Sequence, residues 1–214
     1  MKDHDRAGTQ PDELRRRLLR AMIAAPALLA TSNLLVGRWA STADASTSLP
    51  LTPACADDDD EPTESQTEGP YFTPHSPKRT SLIEAGITGT PLVLSGTVLT
   101  RSCRPVAGAL VDFWQADDAG NYDNRGFRLR GHQYSDAKGV YRLETIVPGL
   151  YPGRTRHIHV KVQAPAQRVL TTQLYFPGEP RNARDGIFDA DLVLAMPAAG
   201  AGGDARFDFV LDLP

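Results

Sequence analysis

The sequence predicts an all-β protein, a β-sandwich of short mixed strands preceded by an extended N-terminal arm, and three observations carry that expectation. Runs rich in β-branched and aromatic residues recur at short intervals from Leu92 onward. Gly, Pro, Asp or Asn bounds each run, and 18 glycines and 17 prolines in a chain of 214 residues leave little room for long helices. No amphipathic helix separates the runs, and strands without helices between them cover their apolar faces by packing sheet on sheet.

Taken in order, residues 1–45 belong to a different physical class from the rest. Leu14-Arg15-Arg16-Arg17-Leu18-Leu19-Arg20 precedes a moderately apolar stretch from Ala21 to Val36, and Ala43-Asp44-Ala45 offers a small-x-small cleavage site. Paired arginines followed by one residue and two leucines look like a twin-arginine export signal, which implies a periplasmic or extracellular protein. Pro26, Asn33 and Arg38 interrupt the apolar run and argue against a membrane anchor. A leader that stays attached as an amphipathic helix is the alternative. Residues 46–66 are rich in Ser, Thr, Pro and acids and read as a polar linker or arm, with Asp57 to Asp60 a solvated charged loop rather than a calcium site.

Residues 67–214 then form the sandwich. Strands are expected at Leu92 to Leu99, Ala109 to Trp114, Val140 to Thr145, His157 to Gln163, Thr172 to Tyr175 and Phe207 to Leu211. The formal net charge of -3 gives no electrostatic case for nucleic acid. No run of about twenty apolar residues follows the leader, so a spanning helix is not expected in the mature domain. Oligomeric state is not legible.

The chemistry is concentrated in Gly149-Leu150-Tyr151-Pro152-Gly153-Arg154-Thr155-Arg156-His157-Ile158-His159. In a strand, His157 and His159 project to one side while Ile158 packs behind them, so two imidazoles converge on one point. Neutral imidazole ligates zinc, copper and iron, and a deprotonated phenol suits a highly charged ion. His4 lies in the leader, His75 in a Pro-rich loop and His132 in a turn-rich stretch. Further ligands are therefore sought among Asp, Glu, Cys and Tyr. A glycine turn after the strand Val111 to Trp114 delivers one candidate, Tyr122.

These residues carry a family resemblance. Thr67-Glu68-Gly69-Pro70-Tyr71-Phe72, the run from Asp112 to Asp123, Asp136-x-x-Gly139-x-Tyr141 leading to Thr145-Ile146-x-Pro148-Gly149-x-Tyr151-Pro152, then His157-Ile158-His159 and Thr172-Gln173-Leu174-Tyr175-Phe176 follow one another in the order seen in the intradiol ring-cleavage dioxygenases. The chain resembles that family of non-haem Fe(III) enzymes, which includes catechol and protocatechuate dioxygenases. The resemblance implies one Fe(III) per chain held by Tyr122, Tyr151, His157 and His159. It implies an active-site arginine at Arg154, a glutamine at Gln173, and a substrate pocket that includes Tyr71. Trp114, inside an apolar strand, is read as a core or site-wall residue with substrate contact as the alternative. The segment between the second tyrosine and the histidine pair is shorter here than in larger members, so Arg156 is the alternative to Arg154. Two phenolates favour Fe(III) over Fe(II). By resemblance, an ortho-diphenol displaces Tyr151, reacts with dioxygen and opens between its hydroxylated carbons to a muconate-type diacid.

Two other function classes remain open from sequence alone. An exported β-sandwich can be a binding module with a structural metal site, and a zinc hydrolase can be built on a histidine pair, although no third Asp, Glu, Cys or His stands at suitable spacing. The two cysteines, Cys55 and Cys103, are expected to pair in an oxidising compartment and pin the arm to the sandwich. Reduced thiols, or a lipid on Cys55, are the alternatives.

Overall fold

A computed structural model describes residues 61–197 and 202–214. The leader expected over 1–45, Cys55, the Asp57 to Asp60 run and most of the 46–66 arm lie outside the described residues. Among the described residues, eight strands form two four-stranded sheets, and 3-10 turns occur at Asn182–Arg184 and Ala190–Leu192. The all-β sandwich is thus as expected. No helix among the described residues is long and apolar enough to cross a membrane.

The first sheet is centred on β1 (Pro91–Thr100), antiparallel to β4 (Val140–Ile146) and parallel to two short successive strands, β7 (Gly203–Arg206) and β8 (Phe209–Leu211). Asp208 sits between those two strands and accepts a hydrogen bond from the Thr97 amide at 2.7 Å, filling the break in the ladder. The second sheet has the order β3 (Arg130–Tyr134), β2 (Leu110–Trp114), β5 (His157–Gln163) and β6 (Val169–Tyr175), antiparallel throughout. Alternation decides which side chains enter the core. Leu92, Leu94, Val111, Phe113, Leu143, Ile158, Val160, Val162 and Leu174 all point between the sheets and are fully buried.

The opposite face of the second sheet carries Arg130 and His132, Asp112 and Trp114, His157, His159 and Lys161, and Gln173 and Tyr175 side by side. A polar face of this kind needs cover, and the segment from Thr63 to Arg79 supplies it as a strap. Thr63 bonds Val210, Gln66 bonds Thr171, Lys161 pairs with Glu68, Phe72 lies edge-on to Trp114, and Ser76 donates to Asp112 at 2.7 Å. The strap therefore crosses every strand of the sheet. His157 and His159 lie beneath it, on this outer face.

Two strands were not legible. β3 has the polar sequence Arg-Gly-His-Gln-Tyr and is recruited by pairing with β2, and β7 has one inward apolar residue, Ala205. His132 accordingly sits on a strand and not in a turn. Tyr134 is half-exposed under the Lys78 ammonium, whereas Tyr141 is buried and donates to the Phe207 carbonyl.

Candidate metal centre

The start of β5 presents His157 and His159 to the same point, their Nε2 atoms 3.2 Å apart, while Ile158 enters the core. The Nδ1 of His157 lies 2.7 Å from the Thr155 carbonyl, which can only accept, so Nδ1 carries the proton and Nε2 offers a lone pair. That lone pair also faces the Tyr122 hydroxyl at 3.2 Å. Burial lowers the pKa of His157 to about 4 and holds that of His159 well below the ordinary value, the latter reinforced by His157 and Arg154. Both imidazoles are therefore neutral, the form that ligates metals.

Tyr122 and Tyr151 come from two loops locked together through their backbones. The Gly149 amide donates to the Asp117 carbonyl at 2.7 Å, and the Asp117 carboxylate accepts from the amides of Ala119 and Asn121. Glycine is required on both sides of this contact. A Cβ on Gly120, already at φ +87°, would stand 2.3 Å from the Leu150 carbonyl oxygen, and one on Gly149 would stand 2.4 Å from the Gly120 nitrogen. Asp123 accepts from the amides of Arg128, Arg125 and Gly126, which hold its carboxyl below the usual range. It thereby shapes the turn after Tyr122.

Tyr122 reaches the histidines, and the Tyr151 ring stands edge-on to it with ring centroids 5.9 Å apart. Tyr151 shares a 2.7 Å hydrogen bond with the Tyr71 hydroxyl, and Tyr71 stacks on Tyr122 at 4.6 Å. Burial pushes the Tyr122 phenol well up, against the opposing charges of Arg154 and Arg130, and the Tyr151 hydrogen bond with burial raises Tyr71. Tyr122 is therefore neutral in the protein alone and ionises only next to a strong cation. No group of three His, Cys, Asp or Glu able to hold a metal exists among the described residues. An ion bound here would use the imidazole lone pairs and the phenols, a donor set that fits a ferric ion.

Arg154 and Arg156 have different surroundings. Arg154 donates from Nε to Asp185 at 2.8 Å and from Nη2 to the Gln173 side-chain oxygen at 2.7 Å, while Gln173 in turn donates to the Thr67 carbonyl of the strap. Arg156 points to Glu179 and the Pro148 carbonyl. Asp185 is the partner that sequence reading missed. Its carboxylate also accepts from the Thr155 amide at 2.8 Å, and these bonds outweigh burial to keep it ionised. The only local signal is an Asp-Gly pair, which marks a turn and names no partner. Trp114 is buried, sealed by Phe72 and stacked on the His159 ring at 4.8 Å, so it forms the wall behind that imidazole. Cys103 is disulfide-bonded, and its expected partner Cys55 lies outside the described residues.

A family model described as Dioxygenase matches residues 67–213. Among curated relatives, a hydroxyquinol 1,2-dioxygenase of Rhodococcus opacus is 32% identical over 151 residues, 59% of this chain and 50% of that protein. A protocatechuate 3,4-dioxygenase beta chain of Burkholderia cepacia is 38% identical over 119 residues, 47% of this chain and 50% of the relative. The chain spans about half the length of these curated relatives. Among solved structures, the dioxygenase domain of a dioxygenase carbohydrate-binding protein fusion from Streptomyces sp. SirexAA-E is 59% identical, with a TM-score of 0.69, covering 72% of this chain and 100% of that one. A 3-chlorocatechol 1,2-dioxygenase from Rhodococcus opacus 1CP is 27% identical with a TM-score of 0.65, covering 72% of this chain and 73% of the other. With the family's span matched across both sheets and the cluster at their surface, the chain belongs to the intradiol ring-cleavage dioxygenase family.

Proposed function

We propose that this chain is a non-haem Fe(III) dioxygenase that opens the ring of an ortho-diphenol between its two hydroxylated carbons to give a muconate-type diacid. The observation that carries the reading is a pair of neutral, buried imidazoles facing the Tyr122 phenol, with the Tyr151 phenol beside it and, among the described residues, no carboxylate completing a three-ligand group. Tyr122, Tyr151, His157 and His159 would hold the iron. A bound ferric ion would acidify the diol and draw electron density from it, so that the ring rather than the oxygen is activated.

The remaining work falls to the chain. Tyr151, linked to Tyr71 at 2.7 Å, is the base for a substrate proton, and Tyr71 retains the resulting phenol by that hydrogen bond. Arg154, clamped by Asp185 and Gln173, supplies a preorganised positive charge for the electron-rich ring carbon. Trp114 and Phe72 keep water from the back of His159. Export through a twin-arginine-type leader accords with a disulfide-bonded Cys103, since such bonds persist in oxidising compartments.

The test is iron reconstitution followed by oxygen uptake against a panel of ortho-diphenols, including catechol, hydroxyquinol and protocatechuate, with product spectra. A coloured protein, bleached or shifted by Tyr122→Phe, and a muconate-type product carrying both atoms of dioxygen are expected. A colourless reconstituted protein, or a yellow semialdehyde product, refutes the assignment.

A further inference from the structure

Arg130 is among the largest fully buried side chains, at 1% exposure, yet it stands on the outer face of the second sheet. Burying a cation is costly unless its hydrogen bonds and charge are answered, and an apolar side chain of similar volume would cover the sheet at less expense. All its side-chain partners are neutral oxygens. Nε donates to the Asp123 carbonyl at 2.9 Å, Nη2 to the Asn124 side chain at 3.3 Å, and Nη1 to the Tyr71 carbonyl.

Those oxygens belong to two segments about fifty residues apart in sequence. Asp123 and Asn124 directly follow Tyr122, and Tyr71 belongs to the strap. The rings of Tyr71 and Tyr122 stack at 4.6 Å with planes 19° apart. The backbone carbonyl of Arg130 is itself fixed by the Arg79 side chain, so the same residue is tied to the strap a second time. A planar guanidinium can serve three acceptors in one plane, whereas an ammonium cannot match that fork.

We infer that Arg130 is a positioning residue, which sets the stacked Tyr71–Tyr122 pair by gripping the backbone of both segments. This inference rests on the proposed iron site only for its consequence there. The grip itself is a property of the metal-free fold.

Arg130→Lys keeps the charge but loses the fork, and Leu143→Ala, a core truncation in the other sheet, serves as a control for general destabilisation. In metal-free protein, chymotrypsin cleavage after Tyr71 or Phe72 is expected to be about tenfold faster in Arg130→Lys than in wild type, and slower in Leu143→Ala than in Arg130→Lys at equal thermal stability. In iron-loaded protein, the visible band of Arg130→Lys is expected to shift while that of Leu143→Ala stays in place. Cleavage and band both matching the Leu143→Ala control would overturn the inference. A colourless wild type would refute the iron reading while leaving the proteolysis result to decide the grip. Should Arg130→Lys fail to fold, Arg79→Met, which loosens the second tie, is expected to accelerate the same cleavage to a smaller degree, and an unchanged rate there also overturns it.

Discussion

Gly149→Ala tests the idea that the two tyrosine-bearing loops are locked by backbone contact. The new Cβ would stand 2.4 Å from the Gly120 nitrogen, 2.5 Å from the Asp118 oxygen and 2.7 Å from the Asp118 carbonyl carbon. All three are main-chain atoms that cannot rotate away. Restoring an ordinary carbon contact of about 3.5 Å requires the loops to part by roughly 1 Å. The movement also stretches the 2.7 Å bond from the Gly149 amide to Asp117. Overpacking of this kind costs about 1–3 kcal/mol, which lowers Tm by roughly 5 °C in a domain of this size. A misplacement of about 1 Å between Tyr122 and Tyr151 should cost on the order of a hundredfold in turnover. Gly186→Ala is the comparison, because nothing lies within 4 Å of its Cβ and its φ is ordinary. Thermal melts and kcat/KM of the iron-loaded variants decide the matter. If Gly149→Ala melts and turns over like Gly186→Ala, the loops are not locked there.

Asp185→Asn should lower kcat by about tenfold to a hundredfold with little change in KM, since it loosens the Arg154 charge without removing it. An equal loss in KM would instead mean that Arg154 serves ground-state binding. Metal-free protein should lose stability as pH falls from about 6.5 to about 4. Burial depresses the folded-state pKa of His157 to about 4, so the unfolded chain takes up the extra proton in that window and acid favours unfolding. The loss is at most about 3 kcal/mol, and His157→Gln should flatten the melting-temperature slope between pH 7 and pH 5. Intact mass of non-reduced protein should rise by two hydrogen atoms on treatment with reductant, as a bridge between Cys103 and Cys55 requires. A diacylglyceryl mass on Cys55 would replace the bridge with an anchor.

What the sequence disclosed and what it concealed follow one physical line. Strands whose inward positions are apolar, such as Val111 and Phe113 or Ile158, Val160 and Val162, declare themselves by alternation. β3 does not, because its inward positions are Gly131 and Gln133. The four metal-ligand candidates were legible because each lies in a short motif, with the His-x-His pair speaking through strand geometry alone. Arg154 and Arg156 stand two residues apart, and only their partners, Asp185 and Gln173 against Glu179 and Pro148, tell them apart. Asp185 and Arg130 act on segments 31 and 59 residues away in sequence. No local pattern encodes such a meeting.

The strap also sets an order of events in folding. Its anchors are remote: Thr63 meets Val210 across 147 residues, Glu64 meets Thr172 across 108 and Thr67 meets Gln173 across 106. Each such closure loses chain entropy that only the finished sheet can return. The strap is made early by the ribosome, but its Thr63 to Thr67 end has no docking surface until β6 and β8 exist. The histidines can face one another as soon as β5 pairs, whereas the strap over them is fastened at both ends only when the last strands are in place. Assembly of the centre is thus a late proofreading step, in which only a chain that has completed both sheets acquires its full complement of groups.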